Sequence, residues 1–509
     1  MNRRLLVIAA LAAMAGGVTA CSGGRSASNI TGGLPQTYAL TQQATPAPGN
    51  ILPEAPVVGP VHHVATVSLE ARVNVATELP AFFWNGEPGV APTIHVMPGD
   101  TIVIDLVDSL PQPGRKGDMN LHFHGLTVSP KKPADDVVSM LAMPGDTLHY
   151  VVPIPKTQQP GLYWYHPHVF PETDIQVGQD GMSGAIVVDG LEKHYPQLAK
   201  MKEHVIIVRA TGLADINARQ ESRSFPHLNG QKPCGADPGY TISLNGVQKP
   251  IIPMQPNEQQ FFRVINAEGH KTLRLAVDNS QMQLVATDGV ALDEYPGNGP
   301  TEVSSIVLPV AARAEFVVTA PPSGETKFRT LCFDAGPAGD EDPNLVLGTI
   351  PVKGGGAHEP RRTPVALRAS GPWPNAGPLP APVTTRMVTL SEDDKQMYIN
   401  GKHFQMGDPP MFTVKVGTVE KWIVNNVTDE IHDFHIHQVH FVLKEIDGHR
   451  VRHPYWADSV VVPHQKDSVP GTITILMDFR DPIIRGTFMF HCHILDHEDS
   501  GMMAKIRAI

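Results

Sequence analysis

PGDTIVIDLVD, residues 98 to 108, alternates apolar and polar side chains and ends on a carboxylate. That is the pattern of a strand with one buried face. Two further stretches repeat it: PNEQQFFRVIN from Pro256 and VGTVEKWIVNN from Val416, with starts 158 and 160 residues apart. A tripeptide ending in Asn-Gly precedes each one, WNG at Trp84, LNG at Leu244 and ING at Ile399. Few segments sustain helical periodicity, whereas β-branched runs broken by Gly, Pro, Asn and Asp recur throughout. The reading is an all-β chain of three tandem β-sandwich domains, near 61–195, 200–355 and 383–509, with a Pro/Gly-rich linker at 356–382. A chance likeness among generic strands is the competing account of the short matches.

Working outward, residues 1–21 carry two arginines, an apolar run too short to span a bilayer, and small residues ending at Cys21. This predicts an export signal. The ending VTAC is similar to the lipobox of bacterial lipoproteins, which would lipidate Cys21 and hold the chain in the bacterial cell envelope or periplasm; a plain secreted protein is the alternative. Residues 22–60 have a composition that buries no core and read as a flexible tether. Removing residues 1–20 takes Arg3 and Arg4 and moves the formal net charge from −11 to −13. Such a chain, without a basic run, has no electrostatic footprint for nucleic acid. Cys234 and Cys332 either form a disulfide or remain buried thiols.

His-x-His occurs four times: His122/His124, His166/His168, His435/His437 and His491/His493. Random placement of 24 histidines would give about one such pair. LHFHG and DFHIHQ place their pairs 313 residues apart, GLYWYHPH and GTFMFHCH 325 apart, close to twice the repeat. The corresponding stretches of the second domain, GHKTLRLAV and ETKFRTLCF, hold none. Eight histidines on equivalent strands of the first and third domains imply one site where those domains meet, with the second as spacer. An isolated pair would read as a hydrogen-bonded surface couple.

Imidazole alone does not choose among copper, zinc, iron and nickel; a cysteine beside it does. Two histidines, a cysteine and a distant axial methionine make a blue-copper site. Cys492, His497 five residues on, Met502 ten on, and His432 in the HDFHIH stretch supply that set. Met502 as plain core is the alternative. In a strand His491 and His493 face one way and Cys492 the other, so one tripeptide serves two sites.

With HFHG, HPH, HDFHIH and HCHILDHEDSGM all present, the sequence from about Val61 onward resembles the multicopper oxidases, most closely bacterial three-domain laccases, including spore-coat laccases. The resemblance implies cupredoxin-like Greek-key domains, four copper ions, and one-electron oxidations coupled to four-electron reduction of dioxygen to water. It implies a type 1 copper on His432, Cys492, His497 and axial Met502. The type 2 copper takes His122 and His435. One type 3 ion takes His124, His166 and His493, the other His168, His437 and His491. His497 would receive the electron. Glu498 and Asp135 are candidate proton relays, or carboxylates that orient a histidine ligand. VFPETDIQVGQDGMSGA after HPH departs from relatives that carry a further histidine and glycine there, which bears on loop shape alone.

The resulting expectation is a monomeric laccase-like oxidase that takes electrons from a small-molecule donor, a phenol or aromatic amine. A cuprous-ion oxidase in copper tolerance is the alternative, although the 18 methionines are scattered. A non-catalytic envelope scaffold would not need the complete ligand set, and a nitrite reductase would not need two histidine pairs in each of two domains.

Overall fold

The structure, a computed structural model, describes residues 50–89, 91–111, 117–211, 241–340, 342, 344–352, 364–373 and 377–509. Among these, six sheets pair into three sandwiches. The repeated segment is the same inner strand in each. Thr101–Asp108 runs between parallel Val64–Asn74 and antiparallel Thr147–Pro153. Gln259–Asn266 lies between parallel Lys202–Thr211 and antiparallel Arg313–Thr319. Thr418–Asn426 lies between parallel Thr385–Glu392 and antiparallel Gly471–Phe479. Identical neighbours and senses make the three matches a true repeat.

The Asn-Gly pairs supply the preceding hairpins. Asn85 and Gly86 have φ of 51° and 84°, Asn245 and Gly246 50° and 81°, Asn400 and Gly401 52° and 69°. Two successive left-handed residues form the type I′ turn, whose twist matches that of paired strands. In Thr101–Asp108 the alternation sends Ile102, Ile104 and Leu106 into the first core, each fully buried. Burial of each such side chain contributes about 1.5–3 kcal/mol. Separate apolar clusters fill the second and third sandwiches, around Phe262 and Phe316 and around Trp422 and Phe434.

The expected tether ends sooner than residue 60. Leu52 is buried in the core of the second sandwich, Glu54 accepts a 2.7 Å hydrogen bond from His204, and Val57–Val58 pairs with Thr93–Ile94 as an edge strand. Average composition over 22–60 concealed these few apolar residues, which complete existing surfaces without needing a core of their own. The signal segment, Cys21 and the rest of the tether lie outside the described residues. The linker is fastened as well: Val365 and Gln259 exchange two hydrogen bonds, Leu367 is buried, and Trp373 stacks on His194 at 3.9 Å. Cys332 is disulfide-bonded; Cys234, its expected partner, lies outside the described residues. No described helix is long and apolar enough to cross a membrane.

Candidate metal centres

Strand register assembles the histidines. In the first sandwich His122–His124 pairs with Gly161–His166, placing His122 opposite His166. In the third, His432–Ile436 pairs with Gly486–Cys492, placing His435 opposite His491 and Phe434 opposite Cys492. The equivalent strands of the second sandwich pair likewise, Leu275 opposite Thr330, without histidines.

The edges of the first and third sandwiches meet through these rings. His122 stacks on His437 at 3.7 Å and His124 on His435 at 4.0 Å. His168 and His437 bring Nε2 within 3.3 and 3.2 Å of His491 Nε2. His493 lies 5.2 Å from His124 and 5.5 Å from His166, centroid to centroid. All eight imidazoles are buried. Close triads of donor atoms occur at His168/His437/His491, His122/His435/His437 and His122/His124/His166.

The proton positions fit a metal-binding ring. Nδ1 of His122, His166 and His435 donates outward, to the Asp135 carboxylate, the Pro167 carbonyl and the Asp458 carbonyl. The Nε2 atoms of these three residues are buried without a partner, as are Nδ1 of His124 and both ring nitrogens of His493. Burial first, then the neighbouring imidazoles, holds His124, His166, His435, His437 and His493 well below the ordinary histidine value, and burial takes His168 down to about 4. Neutral rings with buried lone pairs facing one another repel unless cations lie between them, and orienting the opposite nitrogen outward is the usual arrangement of histidine ligands.

On the other face of the strand, His432 Nδ1 and His497 Nδ1 are 3.0 Å apart, each 3.7 Å from Cys492 Sγ. A point equidistant from the three is about 2 Å from each, the length of a metal–nitrogen bond. Burial, with Asp433, pushes the Cys492 thiol up; a cation at that point reverses the preference. Met502 is fully buried in the same cluster as Cys492, and its carbonyl accepts from the Cys492 amide. The alternation expected for residues 491–493 therefore separates a three-atom site from the eight-imidazole ring by one peptide unit on each side.

Both expected carboxylates stand at the ring. Glu498 is 3.0 Å from His491 Nδ1 and 3.5 Å from His168 Nε2, and accepts from Thr173 Oγ1 at 3.1 Å. Asp135 accepts from His122 Nδ1 and the Phe123 amide, and Gln438 donates to it. Thr173 precedes a π-helical turn, Asp174–Gln179, within the stretch VFPETDIQVGQDGMSGA that follows HPH.

Sequence reasoning missed Asp458. It lies 3.3 Å from His124 Nε2 and is gripped by Arg313 of the second sandwich at 2.7 and 2.6 Å. The spacer thus takes part in the site without supplying a ligand. The one signal was Gly125 in HFHG: at φ +84°, a Cβ there would stand 2.2 Å from Arg313 Nη2. A second three-domain contact is His270, between Asp174 at 2.9 Å and Asp496 at 3.2 Å.

His497 is only 4% exposed. Its Nε2 is 3.3 Å from Glu430 Oε1, and the cavity beside it measures about 60 Å³, with Asp340, Asp342, Glu430, Asp496 and His270 in its lining. Both Asp342 oxygens and Glu430 Oε1 are buried without a hydrogen-bond partner. Glu430 also borders an adjoining cavity of about 200 Å³ that carries Glu392, Asp393, Asp394 and Asp429.

Multicopper oxidase family models match residues 70–193, 164–341 and 378–508. A multicopper oxidase of Staphylococcus aureus is 26% identical over 431 residues, 82% of each chain. A Bacillus subtilis laccase is 24% identical over 388 residues, covering 70% of this chain and 72% of its own. The solved multicopper oxidase of Campylobacter jejuni, described as a metallo-oxidase, superposes with a TM-score of 0.71 at 24% identity, over 91% of this chain and 96% of its own. Three cupredoxin-like sandwiches, the ring they close and the matches along the chain lead to one conclusion: the chain belongs to the multicopper oxidase family, whose members bind four copper ions of types 1, 2 and 3 and pass electrons from a reducing substrate to dioxygen.

Proposed function

We propose that this enzyme oxidises a small metal cation, cuprous or ferrous, at His497. The observation that carries the reading is the cavity beside that ring. At about 60 Å³ it falls far below the roughly 300 Å³ at which drug-sized ligand pockets begin. Four carboxylates line it, against His270 and nearby Lys271, and no sulfur ligand does among the described residues, so the lining suits ferrous ion better than the softer cuprous ion. The adjoining acidic cavity offers an approach that concentrates cations. Among the described residues, the cavities beside His497 offer carboxylates rather than the broad apolar face that would suit the phenol or aromatic-amine donor expected from the sequence.

Bound copper supplies the one-electron redox steps and the reduction of dioxygen. The chain's residues do the rest. His432, Cys492, His497 and Met502 are proposed for type 1 and His122 with His435 for type 2. For the type 3 pair the proposal is His124, His166 and His493 on one ion and His168, His437 and His491 on the other. Glu498, held by Thr173 against His491, is the proposed proton carrier; Asp135 is proposed to fix the ring of His122. The cell envelope, reached through the export signal and Cys21, is the proposed setting.

Oxygen uptake with ferrous ion, cuprous ion and a substituted phenol tests the donor. The expected kcat/KM is at least ten-fold higher for a metal ion, and Glu430→Gln with Asp342→Asn lowers that value at least ten-fold while sparing phenol turnover. Phenol oxidation at equal or greater kcat/KM, with metal-ion oxidation unmoved by the two substitutions, refutes it.

A further inference from the structure

Asp458 lies on the third sandwich, and its carboxylate meets donors from all three sandwiches: His124 of the first, Arg313 of the second, and Ser459 and His440 of its own. Arg313 Nη1 and Nη2 reach Oδ1 and Oδ2 at 2.7 and 2.6 Å. Ser459 Oγ donates to Oδ1 at 2.9 Å, and His440 Nε2 stands 3.5 Å from Oδ2. The guanidinium is itself anchored: Nη2 to the Asp288 carbonyl at 3.0 Å and Nε to the Leu162 carbonyl of the first sandwich at 3.2 Å. Asp288 also accepts from the amides of Asp458 and Ser459 at 3.0 and 3.2 Å. Arg313, Asp458 and Asp288 are all buried, the first two completely.

In this setting His124 has no choice of tautomer. Its Nε2 stands 3.3 Å from Asp458 Oδ1, an oxygen that can only accept, so the proton belongs on Nε2 and Nδ1 is left bare. Nδ1 is the nitrogen without a partner. The backbone of the same residue does the complementary task for His435: its carbonyl accepts from His435 Nδ1 at 2.9 Å, leaving Nε2 bare. His124 and His435 are stacked and come from different sandwiches.

We propose that Asp458, clamped by Arg313 and Asp288 of the middle sandwich, is a positioning residue that selects which ring nitrogen His124 and His435 turn toward the trinuclear copper site. The middle sandwich thereby sets the ligand atoms of a site to which it gives no ligand. Gly125 completes the device, because any side chain there would occupy the space of the guanidinium.

Asp458→Asn tests this with nearly unchanged volume. An amide cannot offer two acceptor oxygens to Arg313. The arrangement with fewest conflicts turns its NH2 toward Ser459 and His124, which can both reverse their roles, and His124 then carries its proton on Nδ1. The expected result is a blue type 1 band of native intensity, copper affinity at the trinuclear site lowered about 10–100-fold, and a weakened near-ultraviolet type 3 band. Arg313→Lys leaves the carboxylate an acceptor and is expected to keep all four coppers. Four coppers with native type 2 and type 3 spectra in Asp458→Asn overturn the proposal, and so does equal copper loss in both variants, which would mark the pair as an interdomain brace alone. If Asp458→Asn does not fold, nitrogen-15 histidine spectra of the copper-depleted native chain decide, with the His124 signal identified by its loss in His124→Gln. Protonated Nε2 sustains the proposal; protonated Nδ1 overturns it.

Discussion

Gly125 and Gly86 share a φ of +84° and differ in what surrounds them. Nothing lies within 4 Å of a Cβ built on Gly86; on Gly125 it would meet Arg313 Nη2 at 2.2 Å, Asp458 Oδ2 at 2.8 Å and Arg313 Cζ at 3.0 Å. Carbon in ordinary contact needs about 3.5 Å, so the guanidinium must retreat by about 1 Å and its two short contacts to Asp458 open. Gly86→Ala then costs the left-handed backbone alone, about 1–2 kcal/mol. Gly125→Ala adds the disruption of a fully buried ion pair, about 3–5 kcal/mol. Urea unfolding followed by tryptophan fluorescence, with copper counted per folded chain, measures both. The expected outcome is a small midpoint shift and four coppers for Gly86→Ala, against a large shift for Gly125→Ala and, because the added Cβ also displaces the Asp458 carboxylate from His124, depleted trinuclear copper. Equal midpoints with full copper in both would refute the reasoning from close approach.

Two further outcomes are expected. Cys492→Ser removes the blue band and one copper per chain but leaves three, because His491 and His493 occupy the opposite face of the strand; loss of all four counts against the two-face reading. His270→Gln has a pH-dependent effect. Burial lowers the pKa of His270, but Asp174 and Asp496 outweigh it and raise the ring well above its ordinary value. A raised folded value means stabilisation that is complete below about pH 6.5 and lost as pH climbs through the folded value. The variant is expected to unfold about 3 kcal/mol more easily at pH 6 and to approach the native chain at alkaline pH. A deficit independent of pH contradicts the assignment.

Much of the molecule was legible because it depends on local pattern. Period-2 alternation marked the inner strands of the first and third sandwiches, whereas their copy in the second, Gln259–Asn266, is buried on both faces yet occupies the matching place. A cysteine between two histidines on one strand is enough to place two sites on opposite faces. What was not legible depends on contacts with no local signature. Arg313 and Asp458 are 145 residues apart, and nothing around either announces the other. The carboxylates near His497 come from separated stretches and converge only through folding, so a scattered methionine count pointed toward organic donors while Asp342 and Glu430 point toward cations. Residues 50–60 carry no local sign of their packing, because Leu52 fills the core of the second sandwich and Val57 pairs with Thr93, both built by later sequence.

The ring draws on both ends of the chain: His168 and His491, 3.3 Å apart in space, are separated by 323 residues. During synthesis, domains form in order from the N-terminus, and the first sandwich can be finished while half of the cluster is still untranslated. No product that stops before His493 can therefore close the eight-imidazole ring, and metal loading there reports that the first and third sandwiches have docked.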